Sequence, residues 1–66
     1  MEDRKPTKFY VEYNGSIVGL YKSLSRALNL IKRKGWKNDE DNLLCLFDDL
    51  GNAYNPQTGE NIGYIS

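Results

Sequence analysis

Catalysis near neutral pH starts from a nucleophile and a group able to take its proton, and this chain offers one thiol and no imidazole. Cys45 is its only cysteine, and histidine is absent. General acid–base work falls mostly to histidine, or to a carboxylate or lysine retuned by burial. A thiol needs such a neighbour to become a thiolate. Cys45 lies inside Leu43-Leu44-Cys45-Leu46-Phe47, where apolar surroundings raise a thiol's pKa and leave it inert. We therefore expect Cys45 to be plain core and the protein not to be an enzyme. Carboxylates cluster at Asp39-Glu40-Asp41-Asn42 and at Asp48-Asp49. Neither cluster has the alternating ligands, central glycine and closing glutamate of a calcium loop. No histidine and one cysteine leave nothing for a zinc site of the usual kind. The six glycines are scattered, so no phosphate loop is present either. No metal and no cofactor are expected.

Binding chemistry is better supplied. At helical spacing, Lys22, Arg26, Asn29 and Arg33 fall on one face. With Lys32, Lys34 and Lys37 they form the kind of stripe that grips phosphates and base edges. The plainer account is that any amphipathic helix needs a polar outer face. Formal net charge is zero, but residues 1–37 hold nine bases and three acids, whereas residues 38–66 hold six acids and no base. Such asymmetry flags a binding surface, or two halves that pack and neutralise each other. Five tyrosines add contact area at low entropic cost.

These residues need elements to hold them. Phe9–Tyr13 and Ser16–Tyr21 flank Asn14-Gly15, a strong hairpin signal because both turn residues tolerate positive φ. A two-residue loop in regular register sets Tyr13 opposite Ser16, Val11 opposite Val18 and Phe9 opposite Leu20, which we take as the core face. Tyr10, Glu12, Ile17, Gly19 and Tyr21 then share the outer face. Ser23 is the candidate N-cap of a helix over about 24–34, with Leu24, Ala27, Leu28 and Ile31 at buried spacing. Gly35 supplies the left-handed stop, and Trp36 can fold back on Ile31. Leu43–Phe47 has the length and continuity of a central strand. Gly51 turns the chain into a short strand at 53–55, and Asn61–Ile65 suggests a fifth. The fold class is α+β, a small antiparallel sheet with one helix on one face in the order ββαββ. One domain spans 1–66, with 1–7 as a loose arm.

In style, these features resemble short phage or mobile-element accessory proteins of the host-takeover or anti-defence type: one tiny turn-rich, tyrosine-rich domain without catalytic residues. The resemblance covers the whole chain and rests on no specific motif. It implies a protein that acts by occupancy on a protein partner. On that basis the candidate surface is Tyr10, Ile17 and Tyr21 joined to Asp39, Glu40 and Asp41. The alternative is nucleic-acid binding through Lys22, Arg26, Asn29, Lys32, Arg33, Lys34 and Lys37. A further alternative is an oligomer that sequesters a small anionic ligand between subunits. Self-association is expected as readily as a monomer, since so short a chain builds little core. The charged opening Met1–Pro6 and the lone cysteine suit a reducing, cytoplasmic setting, away from membranes.

Overall fold

A computed structural model describes residues 5–64. Five strands and one helix follow in chain order: β1 (Phe9–Tyr13), β2 (Ser16–Tyr21), α1 (Leu24–Lys34), β3 (Leu44–Asp48), β4 (Asn52–Tyr54) and β5 (Asn61–Tyr64). They form one sheet in the order β2-β1-β3-β4-β5, with every neighbouring pair antiparallel. The α+β class and the order ββαββ hold, and β5 is present as the fifth strand. Residues 1–4 of the expected arm lie outside the described residues. Thr7 is tied down: its N–H and its hydroxyl both donate to the Asp49 carboxylate, at 3.1 and 2.7 Å.

Local chemistry explains most of these boundaries. Asn14 and Gly15 take φ of 53° and 87°, as the turn between β1 and β2 requires. Nothing lies within 4 Å of a Cβ built on Gly15, so the backbone alone penalises a side chain there. Gly15→Val should destabilise by roughly 1–3 kcal/mol, the range for such strain. An unchanged urea midpoint would refute this. Ser23 caps α1, its Oγ accepting from the Arg26 N–H at 3.3 Å. At the other end Gly35 is left-handed, and its N–H donates to the Lys32 carbonyl. The Trp36 N–H donates to the Ile31 carbonyl. That pair of bonds is a Schellman stop.

The helix covers one face of the sheet. Phe9, Val11, Leu44, Leu46 and Tyr54 from the strands meet Ala27, Leu30 and Ile31 from α1. Leu24, Leu28, Tyr13, Tyr21 and Trp36 pack around this cluster. Leu30 joins the expected helix face because a helix lying flat on a sheet buries a wide stripe. Trp36 packs on the core and stacks on Tyr13, with ring centroids 4.7 Å apart.

The hairpin departs from the regular register. Tyr13 faces Ser16 and Glu12 faces Ile17 as expected, but Val11 faces Gly19 and Phe9 faces Tyr21. Val18 is the extra residue of a β-bulge. The packing gives the reason. A Cβ on Gly19 would meet Leu30 Cδ2 at 2.8 Å and Tyr21 Cε2 at 2.9 Å. The bulge therefore sets the one β2 residue without a side chain where Leu30 of α1 packs against the strand. It also moves Tyr21 from the outer face, where we had placed it, to the helix side.

Candidate functional site

Alternation along the strands decides what the uncovered face of the sheet shows. On β1, Phe9 and Val11 face the helix, so Tyr10 and Glu12 face away. Tyr10 is paired with Leu20 on β2 and Phe47 on β3, and Glu12 with Ile17 and Cys45. Phe47 in turn pairs with Ala53 on β4. The Tyr10 and Phe47 rings stack with centroids 5.3 Å apart. Ile17, Leu20 and Ile62 are 52%, 56% and 62% exposed. An antiparallel sheet packed on one side normally presents polar residues on the other. Here that side is apolar from edge to edge, with Glu12 the acid among these residues.

A hollow of about 430 Å³ is lined by Glu12, Cys45, Phe47, Ala53 and Ile62 of this face, by Asn38, and by the core residues Leu44, Leu46 and Tyr54. Its volume falls within the range of ligand-sized pockets. Cys45 is therefore not core as expected: it is half-buried on the open face. The continuous run Leu43–Phe47 does form the central strand, one residue later, at Leu44–Asp48. Only alternate residues are buried by the helix, and Leu43 is 57% exposed. Burial pushes the Cys45 thiol up from its usual pKa, and the neighbouring Glu12 carboxylate, by its charge and by accepting the thiol's hydrogen bond, pushes it further. Such a thiol is a poor nucleophile. Among the described residues, Glu12 is the one charged side chain that lines the hollow.

The acidic loop is built against the same end of the sheet. Asp39 Oδ1 accepts from the N–H groups of Asp41 and Asn42, an Asx-type turn that employs this carboxylate internally. Asn14 reaches across from the hairpin turn. Its Nδ2 donates to Asn42 Oδ1 and its Oδ1 accepts from the Leu43 N–H. Asn38 Oδ1 accepts from the Leu44 N–H and also lines the hollow. The structure thus brings Tyr10 and Ile17 onto one surface with the loop beside it. Glu40 and Asp41 are exposed there, and Tyr21 lies behind the sheet.

Lys22, Arg26, Asn29, Lys32, Arg33, Lys34 and Lys37 are all exposed. Those on α1 are carried by the element that covers the opposite side of the sheet. A second hollow of about 260 Å³ includes Lys32, Trp36, Lys37 and Gln57 in its lining. It sits at the C-terminal end of α1, where the helix dipole is negative and opposes an anion.

Phe47, Leu20, Cys45 and Ile62 are the surface residues that sequence reasoning missed. Gly19 was the available signal, because glycine inside a strand often marks a bulge. Among the described residues no three His, Cys, Asp or Glu side chains are grouped to hold a metal ion. Among the described residues, too, no helix is long and apolar enough to cross a membrane. Comparison with protein-family models, curated proteins and solved structures finds no match.

Proposed function

We propose that the protein is a non-catalytic binder that acts by occupying a protein partner, through the helix-free face of its sheet. The resemblance to short accessory proteins implies inhibition as the outcome. The observation that carries the reading is the apolar outer face: Tyr10, Ile17, Leu20, Phe47 and Ile62, on four of the five strands of the sheet. Contiguous exposed apolar surface of this kind marks interaction sites. Aromatic residues at its centre are the usual anchors of a protein interface. Nucleic-acid binding by the basic helix face is the second reading, favoured by the full exposure of its residues.

Site-specific photocrosslinking separates the two. A photoreactive phenylalanine analogue at position 47 should give one discrete protein adduct in a lysate of the encoding organism. The same analogue at position 26 or 33 should give none. A nucleic-acid adduct through position 26 or 33, with position 47 silent, would replace the first reading by the second.

A further inference from the structure

We propose that the occupant of the outer sheet face is a basic amphipathic helix, apolar along one stripe and flanked by lysine or arginine. The inference rests on the reading of that face as the working surface, and charge supplies the additional step. Cys45, Phe47, Ala53 and Ile62 line the hollow together with the core residues Leu44, Leu46 and Tyr54, and the carboxylate in its lining is that of Glu12. Asn38 also lines it, at the start of the loop in which Glu40 and Asp41 are exposed. Among the described residues no base lines the hollow. The bases of α1 ride on the element that packs against the other side of the sheet. A cationic segment therefore meets apolar surface and the Glu12 carboxylate together, whereas an acidic one is repelled.

The same charges argue against a second copy seated face to face. That arrangement would bring two Glu12 carboxylates into one interface with no base from either hollow to neutralise them. Burying a charge unpaired is costly. A helix is the fitting shape because the sheet already accepts one. α1, 11 residues long, covers the opposite face through apolar side chains at helical spacing. Four gaps of about 4.8 Å between five strands give a platform roughly 19 Å across, long enough for about 13 residues of helix at 1.5 Å each. A second helix there would complete a helix–sheet–helix sandwich.

The test uses a capped peptide of about 15 residues, leucine along one helical stripe and lysine elsewhere, against a twin with glutamate in place of lysine. Amide shifts of the labelled full chain and thiol-reagent labelling of Cys45 are the readouts. The lysine peptide should bind with micromolar affinity, at least tenfold tighter than its twin. It should shift the amides of Tyr10, Glu12, Cys45, Phe47 and Ile62, and slow Cys45 labelling in proportion to occupancy. Raising salt should weaken it, and Glu12→Gln should weaken it about fivefold. If Glu12→Gln fails to fold, the wild-type salt dependence carries the charge test alone. Equal affinity for both peptides overturns the charge preference. Binding of neither peptide, while position 47 still crosslinks to a protein, overturns the helix and leaves the binding reading intact. Cys45 protection that grows with protein concentration and no peptide assigns the face to a second copy and overturns the inference.

Discussion

Asp48→Ala should remove a large part of the protein's stability. Asp48 is 3% exposed, the only polar residue among the buried ones described, and its carboxylate is fully engaged. Oδ1 accepts from the N–H groups of Leu50 and Asn52, at 2.8 and 2.9 Å. Oδ2 accepts from Asn52 Nδ2 at 3.1 Å and from the Tyr54 hydroxyl at 2.6 Å. This one side chain closes the turn between β3 and β4 and fixes Tyr54, whose ring packs on Phe9. Removing it strands several donors in a buried site, a loss of roughly 3–5 kcal/mol. A domain of this size has a total stability of only about 3–10 kcal/mol. Asp48→Asn keeps the shape but turns one acceptor into a donor facing the Tyr54 hydroxyl, and should cost less, about 1–3 kcal/mol. Urea titration of the three proteins orders them. An alanine variant as stable as the wild type would show that the turn holds itself.

The same cluster sets the expected pH profile. Burial alone would raise the Asp48 pKa, but the hydrogen bonds from Tyr54, Asn52 and Leu50 outweigh it and hold the carboxyl below its ordinary 3.8. A depressed pKa means that the folded state favours the ionised form. Its contribution is therefore full above the unfolded-state pKa and lost as pH falls through the folded value. Asp49 is lowered too, chiefly by the Thr7 hydroxyl, and acts in the same acid window. Tyr54 runs the other way. Burial and the Asp48 carboxylate push its phenol up to about 12 from 10.0. Its contribution is intact below about pH 10 and lost as pH rises towards 12. Asp48→Asn should flatten the acid limb of the profile.

Which features the sequence disclosed follows from how local their causes are. The Asn14-Gly15 turn, the Ser23 cap and the Gly35 stop each depend on a few neighbouring residues, and each stands as expected. The Val18 bulge depends on α1, which approaches Gly19 from elsewhere in the chain, so the strand's own alternation gave no warning of it. Its effect was to exchange Gly19 and Tyr21 for Leu20 on the outer face. Asp48 and Asp49 are adjacent and chemically identical, and turn chemistry reads them alike. Strand parity separates them: β3 runs one residue further than its apolar run, so Asp48 takes the helix side with Leu44 and Leu46. The apolar outer surface was legible in outline from Tyr10 and Ile17. Its extension over β3 and β5 was not, because strand neighbours are set by the sheet order.

Replacing Ile17, Leu20 and Ile62 together by threonine should abolish partner binding while the fold survives. All three are more than half exposed, and threonine suits a strand, so each change should move stability by no more than about 0.5 kcal/mol. Binding should fall at least 100-fold, since a few well-placed apolar contacts carry most of an interface's energy. Tyr21, the choice suggested by a regular hairpin, should behave differently. It packs with the core beside Gly19 and Leu30, so Tyr21→Ser should lower the unfolding midpoint before it touches the partner. Arg26→Ala with Arg33→Ala removes two exposed charges from the helix side and should leave partner binding nearly unchanged. Affinity for the protein captured through position 47, measured beside urea midpoints for all three variants, gives the answer. If the threonine triple binds undiminished while the arginine pair loses a steeply salt-dependent affinity for duplex or single strand, phosphate contacts and released counterions are the working chemistry. The helix would then be the functional surface, and the apolar face would need another explanation.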